Sequence, residues 1–412
     1  MTETGKAPRI SSNPMLKMAI RGVRFLGLTL SQYQKVDTKP RTGRISELDG
    51  WRAVAAVMVI VSHVLGHQPT KTLKEIPWLF WPVYSMGYLG VQIFFVISGF
   101  VICRLLLREE ARNGTFSLKG FYVRRVFRIL PPFYLYLGVL ALFALFGVIR
   151  VPGVEHANWP HLFAKAGLFA ADYHSLTNFW FTGHTWSLAV EEQFYLFFPA
   201  VLLFTPRKWR VAACSAICAL FIGWNLAASL TQGVLFLSTG VIAGFVCIFG
   251  GVLIALHEER ARALALKLPA FLVIPAGALL LLQPDLHLNH WMEALYQGLV
   301  VPPVIAAMLL STVDKPSWIQ SFLCSRPVQA VGLTSYALYL WQQLFVGTPD
   351  LYSRHWIPLL FPLVALIVWL SWTYVEKPAM RIGRTLSQSL EESSRFASRT
   401  ECSAADNPVV GA

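Results

Sequence analysis

Apolar residues in this chain come in long unbroken runs, with polar residues confined to short gaps. Ten segments are long and apolar enough, or nearly so, to cross a bilayer: 51–68, 87–106, 132–150, 186–205, 210–227, 234–256, 270–283, 293–311, 328–347 and 357–376. A spanning helix takes about 20 such residues, and the seventh segment falls short of that. Segment 160–180 would suit an interface, but Asp172 and His174 argue against a crossing. The pattern predicts an all-α integral membrane protein, a bundle of about ten transmembrane helices.

Composition agrees with the pattern. Of 412 residues, 55% are hydrophobic and 14% charged, against about a quarter charged in a soluble domain. A net charge of +13 would suggest nucleic acid in a soluble protein. Here the basic residues sit at the ends of apolar segments, so topology explains them and no nucleic acid is expected. With the N-terminus inside, the cytoplasmic pieces hold 30 of the 35 Lys and Arg residues. The outer loops hold only Lys71, Lys74, Arg150, Lys165 and Arg354. That bias predicts an even number of spans with both termini cytoplasmic. The six cysteines form no Cys-x-x-Cys pair and lie mostly inside apolar runs, as small packing residues would. No signal peptide is expected, because charged residues and Pro40 separate the basic N-terminal stretch from the first long run.

Three regions follow. Residues 1–47 form a basic cytoplasmic segment, in which 15–30 (MLKMAIRGVRFLGLTL) has the spacing of an interfacial amphipathic helix. Residues 48–378 form the membrane domain. Residues 379–412 form a cytoplasmic tail, rich in Ser and Glu from about 385 and expected to be disordered.

Several ionisable residues fall at membrane depth. Arg52 and His63 are eleven residues apart on the first helix, which puts them on one face, about 16 Å apart along the axis. An imidazole deep in the hydrocarbon is a functional candidate, although a neutral His bonded to a neighbouring helix would sit there too. His67 lies near the outer surface; with His63 it has metal-pair spacing, but two ligands are too few and no metal is expected. Glu191 and Glu192 enter from the outer side, about 8 Å into the membrane by helix rise. Side chains one residue apart diverge by about 100°, so one of the two should face the interior. A carboxylate there would fix and charge a neighbouring imidazole; anchoring a helix end is the plainer alternative. Ser98 and Gly99 allow close approach of a helix or an acyl chain. Arg124, Arg125 and Arg128 precede Pro131-Pro132 and, if helical, make one cationic patch suited to phosphates; anionic lipid would bind the same patch.

The stretches LDGWRAVAAVMVIVSHV (48–64), GYLGVQIFFVISGFVI (87–102), FYVRRVFRILPPFY (121–134) and HTWSLAVEEQFYLFFP (184–199) resemble the membrane acyltransferase 3 family of bacterial surface-glycan O-acyltransferases. SYALYLWQQ (335–343) and YVEKP (374–378) are weaker echoes. The resemblance implies that the Arg-x10-His pair of the first helix falls on Arg52 and His63, with His63 the catalytic base. It implies that an Arg-x-x-Arg motif falls on Arg125 and Arg128 for acyl-CoA handling. It places the Trp-Ser-Leu-x-x-Glu motif on Trp186, Ser187, Leu188 and Glu191, which selects Glu191 over Glu192. Many members carry a His after the Leu-Trp of the ninth helix; Gln342 and Gln343 stand there in this chain, which puts a catalytic role at that position in doubt. No fused esterase-like domain, as some relatives carry, is expected.

The expectation is therefore a multi-pass enzyme of the cell inner membrane. It would move an acyl group, acetyl in the first instance, from cytoplasmic acyl-CoA to a hydroxyl of a surface or lipid-linked glycan. His63 and Glu191 would be catalytic, and Arg52, Arg124, Arg125 and Arg128 would hold the coenzyme phosphates. Membrane lipids are the remaining partners. The alternatives are O-acylation of a small metabolite such as a macrolide and, in another class, a transporter or lipid flippase. The latter predicts paired halves with matching broken helices, and the sequence shows no such symmetry.

The charge bias generates a test. Cysteines placed at Lys71 or Arg354 should react with an impermeant maleimide from outside the cell. Those at Arg125 or Arg384 should react only after permeabilisation, and external labelling at Arg125 would overturn the predicted topology.

Overall fold

The computed structural model describes residues 44–66, 75–148, 159–172, 180–231, 239–282, 290–346 and 357–405. The expected helix at 15–30, His67, His174 and the outer-loop cations Lys71, Lys74, Arg150 and Arg354 lie outside the described residues. Every regular element among the described residues is a helix. Among the described residues, seven helices are long and apolar enough to cross a membrane: Ser46–Leu65, Leu79–Asn113, Leu118–Leu145, Trp180–Phe204, Arg207–Leu230, Trp291–Leu310 and Leu359–Glu391. The chain is a multi-pass membrane protein.

Helix occupies most of the described part of each of the ten apolar segments read from the sequence, but seven rather than ten helices meet the length of a span, and three segments are not single straight spans. The sixth, Gly240–Leu256, turns through 90° into Glu258–Leu266. The seventh, Ala270–Leu281, is 12 residues long. The ninth is broken at Thr334 into Arg326–Leu333 and Ser335–Phe345.

Seven helices position the polar groups described below. α1 is Ser46–Val61, continued by a π-helical turn, Ser62–Gly66. α2 is Pro77–Asn113, opened by a proline whose missing N–H costs nothing there and closed by Gly114 at φ 78°. α3 is Leu118–Leu145, capped by Ser117, whose Oγ accepts from the Gly120 N–H at 3.0 Å. α4 is Thr185–Phe204, preceded by the short turn Trp180–Gly183. α5 is Thr239–Leu256, α6 is Ser335–Phe345 and α7 is Lys377–Ala405, the last following a π turn at Trp372–Glu376. Pro378 lacks the N–H that would bond to the carbonyl of Tyr374, which favours the wider turn just before it.

The tail does not follow the sequence expectation. α7 continues helical to Ala405, past the point at which the composition reads as unstructured. Ser387 is buried, and Glu391 is bound to Arg124 of α3 at 2.8 Å. Up to Glu391 the polar residues of this stretch lie against other polar groups, and a low apolar content alone does not separate such a helix from disorder.

Glycines set the helix register. A Cβ on Gly99 of α2 would overlap the Ile248 carbonyl of α5, and one on Gly251 of α5 would overlap that of Val96 on α2. The two backbones touch directly, as small residues allow in membrane helices. On the other side of α2, a Cβ at Gly87 would come within 2.6 Å of Ser62 Oγ, and one at Gly90 within 2.7 Å of the Ala55 carbonyl. α1 and α2 are therefore antiparallel with 62 level with 87.

Polar contacts gather at the two ends of the helices. At one end Arg104 bonds Glu258 (2.7 Å), Arg210 bonds Glu110 (2.6 Å), Arg124 bonds Glu109 (3.0 Å), Arg262 pairs with Asp314, and the Gln320 amide donates to Glu47 (2.7 Å). At the other end Ser62 donates to the Tyr84 carbonyl (2.8 Å), the Gln92 amide to Gln297 (2.7 Å), and the Tyr296 hydroxyl to the Leu280 carbonyl (2.8 Å).

Gly99→Ala and Gly251→Ala should each lower the detergent melting temperature by several degrees, because the obstacle is backbone and cannot move aside. Gly223→Ala, with nothing within 4 Å of the new methyl among the described residues, should leave it unchanged or raise it. Equal melting of all three variants would show that the α2–α5 contact does not control stability.

Candidate active site

The residues singled out in the sequence fall into two polar layers. The first surrounds His63. This imidazole sits on the π-helical turn at the end of α1, a local widening that often marks functional positions. Its Nδ1 lies 3.0 Å from Gln342 Oε1 on α6. Its ring meets Trp180 edge to face at 5.4 Å. Gln342 donates its amide N–H to Gln343 Oε1 at 3.1 Å, and Gln343 donates to the Trp180 carbonyl at 2.8 Å. The Trp180 indole returns a bond to the Gln343 carbonyl at 3.2 Å.

His184 belongs to the same layer. It is buried between Tyr136 and Tyr339, with ring centroids at 5.5 and 5.4 Å, and neither ring nitrogen has a hydrogen-bond partner among the described residues. Its carbonyl is held by the Ser187 hydroxyl at 3.0 Å and the Tyr339 hydroxyl at 3.2 Å. The serine of the Trp-Ser-Leu stretch thus fixes the backbone that carries His184.

The second layer surrounds Glu191. Its Oε1 accepts from Ser98 at 2.7 Å and its Oε2 from Tyr195 at 3.2 Å. Arg52 and Arg125 are the cations whose charges act on it. The Arg125 guanidinium lies over the Tyr195 ring at 5.0 Å and the Phe121 ring at 5.6 Å, a stacking that suits a planar cation. Arg128 is exposed and shares its electrostatic surroundings with Arg52, Asp49 and Glu376. Among the described residues no carboxylate hydrogen-bonds to Arg125 or Arg128. Arg52 bonds Asp49 at 3.3 Å.

Two expectations change. The imidazole–carboxylate pair is not formed: both oxygens of Glu191 are engaged by Ser98 and Tyr195, and its level is different. Ser98 lies eleven residues beyond Gly87 on α2, and Gly87 is level with Ser62, so Glu191 lies about 16 Å from the level of His63. Helix rise along the apolar run does not give this height, because the run is preceded by the turn at Trp180–Gly183, which sets Glu191 further from the helix end. Glu191 stands instead with the arginines, and Glu192 lies within the same field, acted on by Arg125 and Arg128. Both carboxylates therefore serve one layer.

Arg124 also leaves the patch. Its guanidinium is held by Glu109 at 3.0 Å, by Glu391 at 2.8 Å and by Ser387. Arg125 is rotated about 100° from it on the helix, so neighbours in sequence serve different partners. Of the four arginines read as phosphate ligands, the structure brings together Arg52, Arg125 and Arg128.

Sequence reasoning did not find Tyr195, Trp180 or His184 as site residues. Ser98 was visible only as a small residue and Gln342 only as a departure from a family pattern. A side chain's partner on a distant helix leaves no trace in local periodicity. Outside both layers, the Gln193 amide donates to Asp172 at 2.9 Å, and burial holds the Asp172 carboxyl above its ordinary range.

The chain is 26% identical over 386 residues to the peptidoglycan O-acetyltransferase OatA of Listeria monocytogenes, covering 82% of this chain and 56% of that protein. It is 25% identical over 373 residues to the O-acetyltransferase OatA of Staphylococcus aureus, covering 82% and 57%. The chain thus spans under three fifths of the length of these relatives. No solved structure matches it. Residues 45–376 match the family described as an acyltransferase domain, and these residues include both polar layers. The chain belongs to the acyltransferase 3 family.

Proposed function

We propose that this chain is an O-acyltransferase of the cell inner membrane. It moves an acyl group, acetyl in the first instance, from acyl-CoA on the cytoplasmic side to a hydroxyl of a surface or lipid-linked glycan. The observation that carries the reading is the pair of layers on one helix. Arg52 lies in a cluster of guanidinium groups, two of which have no carboxylate bound among the described residues, and His63 lies about 16 Å further along α1. A donor with phosphates at one end and a thioester at the end of a long arm matches that separation. Arg52, Arg125 and Arg128 hold the phosphates by charge-assisted bonds. His63 takes the proton of the acceptor hydroxyl, whose oxygen then attacks the acyl carbonyl; the thiolate leaves and is reprotonated. Transient transfer of the acyl group to the imidazole is the variant of this step. Glu191 holds Ser98 and Tyr195 in place and offsets the arginine charge. The acceptor class rests on the names of the relatives, which are O-acetyltransferases, one of them of peptidoglycan.

We place the end rich in ion pairs at the cytoplasmic face. Those bonds join the start of α1, the end of α2, the start of α3, the Arg210 region, the Glu258–Asp314 region and α7. A chain that returns to one end this often crosses an even number of times between visits. That pattern supports ten crossings with both termini cytoplasmic, three of the crossings being bent, short or broken.

Purified variants assayed with labelled acyl-CoA and a glycan acceptor separate the two layers. Arg125→Ala and Arg128→Ala should raise KM for acyl-CoA about 10- to 100-fold, the worth of a charged hydrogen bond, with Lys a partial rescue. His63→Ala should lower kcat about 10²–10⁴-fold and still bind acyl-CoA. Glu191→Gln should follow the arginine variants and alter KM more than kcat. Unchanged KM in both arginine variants would remove the phosphate assignment, and a loss below about tenfold in His63→Ala would make that residue structural.

A further inference from the structure

The bonds around His63 form a chain with one fixed end. The backbone carbonyl of Trp180 can only accept. The Gln343 side chain 2.8 Å from it must therefore present its NH2. That turns Gln343 Oε1 toward Gln342, so Gln342 must present its own NH2 there, at 3.1 Å. Gln342 Oε1 is then left facing His63 Nδ1 at 3.0 Å, and an oxygen that can only accept requires an N–H on that nitrogen. Amide orientation and imidazole tautomer are ordinarily assigned from the network around them, and here both amides and the Nδ1 side of the ring follow from one carbonyl. Flipping either amide only moves the conflict: two acceptors or two donors then face each other inside a buried pair, since Gln342 is 0% and Gln343 2% exposed.

We infer that Gln342 and Gln343 form a relay that locks His63 in the Nδ1–H tautomer, placing the lone pair on Nε2 as the atom that accepts the substrate proton. Gln342 is a positioning residue: it acts through His63 and touches no substrate. The relay keeps its geometry through the cycle, because Nδ1 carries a proton in both the neutral ring and the imidazolium. The indole of Trp180 closes the circuit. Its N–H is tied to the Gln343 carbonyl, and its ring packs on the imidazole it helps to orient. A neutral amide thus occupies the place a carboxylate was expected to fill. The inference rests on His63 being the base, and the test separates the two.

The experiment is 15N NMR of the full chain in lipid, labelled at the histidine ring nitrogens, with His63→Ala identifying the His63 signals. Wild type should show Nδ1 protonated and Nε2 unprotonated near neutral pH. Gln342→Met, close in volume but without the acceptor, should shift the ring toward Nε2–H, and Gln342→Glu should keep Nδ1–H. In the transfer assay Gln342→Met should lose at least about tenfold in kcat, up to the roughly 10²–10⁴-fold of a whole general base, with KM for acyl-CoA unchanged. Gln342→Glu should recover most of the rate. An Nε2–H wild type overturns the relay, as does a Gln342→Met variant that keeps both its Nδ1–H signal and its rate. If Gln342→Met does not fold, the wild-type spectrum and Gln342→Glu still decide the tautomer. A fully active His63→Ala beside an Nδ1–H wild type overturns the base assignment, and the positioning role with it, while leaving the bond order described.

Discussion

Two backbones touching at glycine set the dimensions of the site. Gly99 and Gly251 bring α2 and α5 into direct contact, and Gly87 and Gly90 bring α2 against α1. Helices in lipid gain little from burying apolar surface against each other, so close backbone approach and polar bonds decide their register. α2 is thereby held on both sides, and its residues act as a ruler. Ser98, beside Gly99, reaches Glu191, while Ser62 at the level of Gly87 sets the height of His63. A shift of α2 by one turn would separate Ser98 from Glu191.

With register fixed, the polar groups sort into two layers about 16 Å apart. Each solves the problem of buried polarity differently. Around Glu191, the Arg125 guanidinium stacks on aromatic rings and the Glu191 carboxylate bonds to hydroxyls. Around His63 an amide chain runs from a backbone carbonyl to the imidazole. An ionisable group at this depth is costly without partners, so groups that keep unsatisfied capacity are informative. Among the described residues they include the Arg125 guanidinium, to which no carboxylate hydrogen-bonds, and the buried imidazole of His184; Arg128 beside Arg125 is exposed. The proposed reaction needs an anionic donor at the arginines and chemistry near the imidazole.

The ion pairs at one end have a further role. Glu258 holds both Arg104 and Arg262, and Glu110 holds both Arg207 and Arg210. Exposed pairs such as Arg207–Glu110 contribute little each, but Arg104–Glu258 and Arg210–Glu110 are shielded and tie helix ends together. They join the ends of helices far apart in sequence, and Arg124 brings α7 into the same network through Glu391. This fastens the end at which the arginine cluster would receive its ligand.

Much of the architecture is legible in the amino-acid sequence. Hydrophobic run length determines where helices form, because a backbone in hydrocarbon must satisfy itself by local bonds. Spacing along α1 places Arg52 and His63 on one face, and motif order identifies the family. The rest concerns relations between helices. Periodicity gives the face of a residue on its own helix but not the height at which a neighbouring helix meets it. The sequence therefore pairs Glu191 with His63, groups Arg124 with Arg125, and presents the tail as unstructured. Only tertiary packing assigns Glu191 to Ser98, Arg124 to Glu391 and Gln342 to His63. Those partners lie far apart in the chain, and the glycine contacts that set their relative height are themselves contacts between helices.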